Sequence, residues 1–286
     1  MRRPGRQAID LAAYFARIGY TGPTDPTLET LAGLVAAHTS HIPFENLDPL
    51  MGRPVTDLSE AGLTDKLVRR HRGGYCYEQN GLMRYVLIEL GFDVDRMAAR
   101  VVWMNPDGLD GPPHAETHQT LAVRIPGSDE PYLTDVGFGG QTPTSPIRLV
   151  AGPVQQTRNE PYRLREHGRG LVLEAQVRDV WQPLYVFTTE PRPLIDMEVG
   201  SWYVSTHPRS KFVGGLSAAL VDDGARHNLR GRDLTVHSAA GGTERIRFDT
   251  AAQVVAALTD RFGIDLSGLG DVESRVAQVL DDGDRP

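Results

Sequence analysis

Apolar residues recur at helical spacing through the first third of the chain. Residues 7–20 place most of their apolar side chains on one helical face: Ile9, Leu11, Tyr14, Phe15 and Ile18. Asp25 and Pro26 have the residue types of an N-cap followed by a first-turn proline, and they predict a second helix that continues to His38. The chain is therefore expected to begin with amphipathic helices.

Two further helices are predicted before residue 91. The third spans Ser59 to Arg70 and points its basic residues outward: Lys66, Arg69 and Arg70. The fourth follows the glycine pair at 73 and 74, because apolar residues recur at helical spacing from Leu82 to Leu90 and Gly91 stands where a helix C-cap belongs. Cys76 then lies in the first turn of this helix.

After Gly91 the apolar period changes from helical to alternating. We predict strands over residues 95–103, 119–125, 132–136, 162–165, 171–178 and 183–187. Short sequential strands with hairpin-length connections are typical of an antiparallel sheet or small barrel. The proline-rich loop from Asn105 to Thr117 is long enough to shape a site.

The pattern is mixed beyond Pro193. Strands are predicted over residues 233–237 and 244–248, and helices over 250–262 and 272–280. The order of elements predicts an α+β chain, with helices first, an antiparallel β middle and an α/β end.

Composition and charge narrow the classes of function. The net charge of −7 over 286 residues argues against nucleic acid as the main partner, because duplex binding needs a concentrated basic surface. We recognise no secretory signal and no run near the roughly 20 apolar residues of a membrane span. A single cysteine suits a reducing compartment, so we expect a cytoplasmic protein without a membrane partner.

Cys76 is the single cysteine, so it cannot form an internal disulfide. Its alternatives are a buried small hydrophobe, an incidental thiol or a nucleophile. A helix start favours the nucleophile, because unpaired N–H groups and the positive end of the helix dipole stabilise a thiolate.

A cysteine nucleophile needs a base, and nine histidines are available. His38 and His41 are three residues apart, but no Cys, Asp or Glu completes a metal-binding pattern, so we predict no metal site. His118 opens a predicted strand and shares a face with Thr120 and Ala122. By itself it is either an ordinary strand histidine or the base.

Asp135 is an acidic residue within an otherwise apolar strand. If buried, its carboxylate needs a partner such as a histidine; the alternative is an edge or surface position. A simple hairpin with Ile125 opposite Tyr132 would place His118 opposite Gly139, so contact with Asp135 is expected to need a bulge or a longer loop.

Four segments together resemble the bacterial arylamine N-acetyltransferases. They are IPFENL at 42–47, RGGYCYEQN at 72–80, THQTLAV at 117–123 and YLTDVGFGG at 132–140. The order Cys, His, Asp, the spacings of 42 and 17 residues and the chain length agree with the family, and THPRSKF at 206–212 is similar to another family segment. Gln79 departs from the pattern, because many relatives carry histidine there.

The resemblance implies a fold with a cysteine-protease-like Cys-His-Asp core. A helical domain over residues 1–91 carries the nucleophile, a β-barrel over 92–200 carries the histidine and aspartate, and an α/β lid covers 201–286. The resemblance also implies that Cys76 is the nucleophile, His118 the base and Asp135 the residue that orients the histidine.

The implied reaction is a ping-pong transfer of acetyl from acetyl-CoA, the co-substrate, to arylamines, arylhydrazines or arylhydroxylamines. The resemblance assigns seven residues to the substrate and CoA cleft: Phe44, Val101, Thr117, Gly137, Phe138, Gly139 and Phe212. Phe138 and Phe212 offer stacking surfaces for the acceptor. Arg209 or Lys211 is a candidate for the CoA phosphates, and the Cys76 N–H for an oxyanion donor.

Two rival functions stay open at this point. The same three residues serve a cysteine amidohydrolase, a protease or an amide synthase, because they do not decide between water and an amine as acceptor. A CoA-binding or aromatic-ligand-binding protein with an inert cysteine is the second rival. A homo-oligomer is also left open.

Overall fold

The structure is a computed structural model that describes residues 9–222 and 224–283. Residues 7 and 8 of the first predicted helix lie outside the described residues. The helices are α1 (Leu11–Arg17), α2 (Leu28–His41), α3 (Leu47–Leu50), α4 (Glu60–Leu63), α5 (Cys76–Glu89), α6 (Leu194–Thr206), α7 (Lys211–Gly214), α8 (Ala251–Asp260) and α9 (Val272–Gly283). A π-helical segment, Thr64–Arg69, continues α4.

The strands fall into two antiparallel sheets. Eight belong to the middle of the chain: β2 (Asp93–Val101), β3 (His118–Arg124), β4 (Pro131–Thr134), β5 (Ile147–Arg148), β6 (Val154–Gln155), β7 (Tyr162–His167), β8 (Gly170–Val177) and β9 (Val180–Phe187). The other five are β1 (Phe44–Glu45), β10 (Ser217–Val221), β11 (Ala225–Arg230), β12 (Asp233–Ser238) and β13 (Thr243–Arg247).

The larger sheet is a nearly closed barrel with the order β5-β4-β3-β2-β9-β8-β7-β6. Its two edges approach each other through the side chain of Gln155. The Gln155 amide accepts from the Arg148 N–H at 2.8 Å and donates to the Arg148 carbonyl at 3.0 Å. This contact satisfies backbone groups that an open sheet edge would leave unpaired.

The smaller sheet has the order β1-β10-β11-β12-β13. Its edge strand β1 comes from the N-terminal region, and Phe44 pairs with Ala219. Helices α8 and α9 pack against this sheet through one apolar cluster that includes Leu229, Leu258 and Val276. The C-terminal part of the chain therefore shares its sheet with a segment that precedes the nucleophile.

Strand β3 is buried on both faces. Leu121 and Val123 pack with the helices of the N-terminal region, whereas Ala122 packs inside the barrel with Leu133 and Tyr185. Because side chains alternate along a strand, His118 lies on the same face as Ala122. It therefore lies at the start of a strand that separates two cores.

The predicted α+β fold is confirmed, and the predicted strands lie within about three residues of the observed ones. The predicted N-cap of α2 at Asp25 is wrong. Thr27 is the cap, because its extended backbone allows its hydroxyl to accept from the Thr30 N–H at 3.2 Å. This helix also continues past His38 to His41.

The prediction that Lys66 points outward is also wrong. Its ammonium group lies 2.5 Å from carboxylate oxygens of both Asp48 and Glu78, and its side chain is 14% exposed. These two acids lie in the N-terminal core, and a carboxylate removed from water requires a cation or donors. Helical spacing alone does not reveal that requirement.

Helix α6 and strands β10 and β11 were not predicted from the mixed pattern beyond Pro193. Helix α6 carries apolar residues on its buried face and on its exposed face, so it lacks an amphipathic period. It is continuous across residues 200 and 201, where two predicted domains meet, and the domain boundaries stay predictions. Among the described residues, none of the helices has both the length and the apolarity to cross a membrane.

Candidate active site

Cys76 is the first residue of α5, as the sequence predicts. The chain enters this helix through Tyr75, whose N–H donates to the Glu78 carboxylate at 3.2 Å. A methyl group at Gly74 would lie 2.6 Å from that carboxylate, so the entry needs glycine. The thiol is 4% exposed and its sulfur lies 3.7 Å from the Thr117 carbonyl oxygen. Its place at the helix start exposes it to the positive end of the helix dipole.

His118 and Asp135 form a buried pair in which Nε2 lies 2.6 Å from Oδ2. The predicted hairpin register is wrong, since Val123 and not Ile125 lies opposite Tyr132. Continued by one pair beyond β4, the observed register sets Thr120 opposite Asp135, and His118 is the next residue on that face of β3. A diagonal contact results, and no bulge is required.

Asn80 holds the other oxygen of the Asp135 carboxylate. Its amide nitrogen donates to Oδ1 at 2.9 Å and to the Gln119 carbonyl at 2.7 Å, while its own oxygen accepts from the Val136 N–H at 3.0 Å. The Gly137 N–H donates to Oδ1 at 3.0 Å. Sequence reasoning missed Asn80, although it follows Cys76 by one helical turn and therefore shares its face.

The electrostatics of the pair favour charged forms of both groups. Burial by itself lowers the pKa of His118, but the charges of Asp135 and Cys76 outweigh burial and raise that pKa to about 10. Burial raises the pKa of Asp135, but the His118 charge and hydrogen bonds from His118, Asn80 and Gly137 bring it below its usual value. Because the charge of Cys76 contributes to the raised pKa of His118, the thiol lies beside the imidazole. Because Nε2 is hydrogen-bonded to Asp135, Nδ1 is the imidazole nitrogen that is available to the thiol.

Two aromatic rings fix the plane of His118. The Tyr185 ring centroid lies 4.9 Å from that of His118, and the Phe138 centroid lies 5.2 Å away in an edge-on arrangement. Tyr185 comes from β9, and nothing in its local sequence marks it as part of the site. These contacts exclude water from the imidazole and restrict its rotation.

The GFGG turn at residues 137–140 allows its backbone to approach the nucleophile. A methyl group at Gly137 would lie 2.7 Å from the Cys76 Cα, and Gly139 has a φ of +84°. The Thr142 hydroxyl accepts from the Phe138 N–H at 3.0 Å and so helps to close the turn. Glycine is thus required here for packing and for conformation.

The other predicted cleft residues are placed close to these groups. Phe44 and Phe212 have ring centroids 5.8 Å apart, and a methyl group at Gly139 would lie 3.3 Å from Phe44. Thr117 supplies the carbonyl beside the thiol, while Val101 on β2 pairs with Tyr185 on the neighbouring strand β9. Arg209 and Lys211 are exposed near Phe212. Their roles in binding stay predictions.

The histidine pair that precedes β1 is not arranged as a metal site. His38 is buried, with Nδ1 2.9 Å from the Tyr14 hydroxyl and Nε2 2.6 Å from the Gln79 oxygen, whereas His41 is exposed. Burial lowers the pKa of His38 to about 4, so it is neutral at pH 7. Across residues 9–222 and 224–283, no group of three or more potential metal ligands is present.

A network of five charged side chains lies on the other side of the helix start: Glu45, Asp48, Lys66, Arg72 and Glu78. Arg72 is 1% exposed and lies 2.6 Å from Glu45 and 3.3 Å from Asp48. The network ties IPFENL to RGGYCYE, which are far apart in sequence. Sequence reasoning did not predict it.

Fold and site together define a class: an α+β protein whose helix start and barrel strands bring a cysteine, a histidine and an aspartate into one row. Residues 27–270 match the family model described as N-acetyltransferase. The arylamine N-acetyltransferase of Mycolicibacterium smegmatis is 64% identical over 276 residues, which are 96% of this chain and 99% of that protein.

A more distant relative and a solved structure support the same family. A Salmonella typhimurium protein named arylamine N-acetyltransferase / N-hydroxyarylamine O-acetyltransferase is 34% identical over 273 residues, covering 94% of this chain and 95% of that protein. The Mycobacterium marinum arylamine N-acetyltransferase, solved in complex with CoA, superposes with a TM-score of 0.91 at 59% identity and covers 94% of this chain and 99% of that chain. The chain belongs to the arylamine N-acetyltransferase family and is an acyltransferase, as predicted.

Proposed function

We propose that the protein moves an acetyl group from acetyl-CoA to an arylamine, arylhydrazine or arylhydroxylamine through a thioester on Cys76. The observation that carries this proposal is the set of three groups at one place: His118 is bonded to Asp135 at 2.6 Å, Cys76 starts the adjoining helix, and the charge of Cys76 helps to raise the pKa of His118. The M. marinum relative has been solved with CoA, and the S. typhimurium relative is named for N- and O-acetylation, which supports the donor and the range of acceptors.

In the first half-reaction the Cys76 thiolate attacks the thioester carbonyl carbon of acetyl-CoA. A new C–S bond forms to Cys76, the C–S bond to CoA breaks, and the CoA sulfur takes the proton that His118 carries. The Cys76 N–H, at a position of α5 without an intrahelical acceptor, is the proposed donor to the oxyanion.

In the second half-reaction the acceptor nitrogen, or the hydroxylamine oxygen, attacks the acetyl-cysteine carbonyl. His118 removes the proton from the attacking atom, and the Cys76 sulfur leaves as a thiolate. Asp135 keeps the imidazole oriented and stabilises its charged form. The buried thiol and the aromatic rings around His118 limit the access of water, which protects the thioester from hydrolysis.

Two measurements test the proposal. Incubation with acetyl-CoA alone should add about 42 Da, the mass of one acetyl group in place of hydrogen, to the peptide that contains Cys76. Addition of an arylamine should remove this adduct and release CoA continuously. CoA release at the same rate without the amine would instead identify a hydrolase, and the absence of any adduct would identify a ligand-binding protein with an inert cysteine.

A further inference from the structure

The side chain of Arg226 connects the smaller sheet to the turn that follows Asp135. Arg226 lies on β11, and its side chain is 5% exposed. Its Nη2 group donates to the Thr142 carbonyl oxygen at 2.8 Å. The guanidinium also pairs with Glu160, with Nη2 2.5 Å from Oε1 and Nε 3.1 Å from Oε2. This two-point contact fixes the orientation in which the guanidinium meets Thr142.

Glu160, which orients Arg226, is itself held by the barrel. Its Oε1 atom lies 2.5 Å from the Tyr162 hydroxyl and 2.5 Å from the side-chain nitrogen of Gln141. Tyr162 is fully buried on β7, and Gln141 directly precedes Thr142 in the chain. A buried polar network whose members are paired in this way is rigid. The guanidinium therefore holds Thr142 against a fixed part of the barrel.

Thr142 in turn contacts the backbone of two residues that hold His118. The Thr142 hydroxyl donates to the Asp135 carbonyl at 3.2 Å and accepts from the Phe138 N–H at 3.0 Å. The Asp135 carboxylate lies 2.6 Å from Nε2 of His118, and the Phe138 ring packs edge-on against the imidazole. A shift of Thr142 would therefore move both groups that orient the histidine.

We propose that Arg226 is a positioning residue for the reaction and acts through Thr142 on the orientation of His118. This inference rests on the proposed function, in which His118 assists the nucleophile. A second contact from the same face of β11 supports it, because a methyl group at Gly140 would lie 2.5 Å from the side-chain oxygen of Asn228. Strand β11 thus contacts the turn at two points, residues 140 and 142.

Alkylation of the single thiol by iodoacetamide measures this effect without acetyl-CoA. The Cys76 thiolate displaces iodide, and its reactivity depends on the imidazole beside it, so a misoriented His118 should slow the reaction. Arg226→Met removes the donors and keeps the apolar stem, and we expect the alkylation rate at pH 7 to fall about fivefold or more. Thr142→Val replaces the hydroxyl by a methyl group of similar size and should cause a similar fall.

A double-mutant cycle tests whether Arg226 acts through Thr142. If it does, the variant with both changes should react at most about twofold more slowly than the slower single variant, because each change breaks the same connection. Losses that multiply in the double variant would overturn the proposal. Thr142→Ser keeps a hydroxyl and should restore at least about half of the wild-type rate. A rate as low as that of Thr142→Val would also overturn the proposal.

Arg163→Met is the matched control, because Arg163 lies 2.7 Å from the buried carboxylate of Glu174, on the neighbouring barrel strand β8. It should react at the wild-type rate, and equal rates in Arg163→Met and Arg226→Met would contradict the proposal. Near-UV circular dichroism checks that each variant is folded.

Arg226→Lys replaces Arg226→Met in the cycle if the latter does not fold. It keeps a cation beside Glu160 but loses the planar fork, so its rate should fall about threefold or more. A wild-type rate in Arg226→Lys would then overturn the proposal. A wild type that acetyl-CoA does not acetylate would count against the proposed function, whereas the alkylation rates decide the role of Arg226.

Discussion

Two buried charged clusters flank the start of α5, and they differ in what their charges face. On one side His118 and Asp135 form an ion pair, and the charge of Cys76 also raises the pKa of this imidazole. On the other side Arg72 and Lys66 are surrounded by carboxylates, and this cluster contains no nucleophile. Both clusters contain charged side chains that are almost completely buried, such as Asp135 in the first and Arg72 in the second. Burial of charge by itself therefore does not identify a reactive site.

The two clusters also differ in how they use their partners. Asp135 has donors on both oxygens, which leaves His118 as the one group of the pair that is directed at another residue. In the ion network each cation contacts two carboxylates, so its charges hold backbone segments together. We infer that the first cluster serves chemistry and the second serves the position of the helix start.

Loss of the nucleophile should have the largest effect on activity. Cys76→Ala should lower acetyl transfer by about 10⁴-fold or more, because no covalent intermediate can form. Amine-dependent CoA release measures this effect. The melting temperature should change little, since both charged clusters remain, and substantial residual turnover would remove Cys76 from the mechanism.

Asp135→Asn should be the next most damaging change on the catalytic side. A neutral amide cannot stabilise charged His118 and favours the wrong tautomer, so we expect a loss of about 10³- to 10⁴-fold in kcat/KM. The change should also lower the pKa of His118, which the pH profile of acylation reports. The same change at the exposed Asp129, Asp129→Asn, is the control and should leave the kinetics unchanged. Wild-type kinetics in Asp135→Asn would show that the Asp135 carboxylate has only a structural role.

Breaking the ion network should mainly affect stability. Arg72→Met leaves the buried Glu45 carboxylate without its nearest cation, and we expect the free energy of unfolding to fall by about 3–5 kcal/mol. Arg70→Met, at an exposed residue 4.0 Å from Asp65, should change it by less than about 0.5 kcal/mol. Denaturant titration measures both. Similar losses in the two variants would contradict a special role for the network.

A pH titration tests how the charge of His118 contributes to stability. The pKa of His118 is raised to about 10 in the folded protein from about 6.5 in an unfolded chain, so its stabilising contribution is complete below pH 6.5 and is lost as pH rises through 10. Asp135 behaves in the opposite way, because its pKa is lowered and its contribution is lost as pH falls. The unfolding free energy of wild type minus that of His118→Gln should decline between pH 6.5 and 10, and a constant difference would refute the assignment.

Local patterns predicted much of this site. Cys76 at a helix start follows from the glycine pair before it and the helical spacing after it, and the α+β order follows from the change of period at Gly91. The pairing of His118 with Asp135 did not follow, because it depends on a strand register that differs from the simple hairpin. Asn80 lay within the predicted helix but was missed, since its role depends on a carboxylate from another strand.

The sequence by itself determined the helix that carries Cys76, the barrel-like run of antiparallel strands and the glycines of the GFGG turn, because these depend on periodicity and on backbone freedom that neighbouring residues impose. Only the tertiary structure decided that Lys66 turns inward, that Tyr185 packs on His118 and that α6 shows apolar residues on both faces. These features depend on which distant segments share a desolvated space, and that information is absent from local spacing.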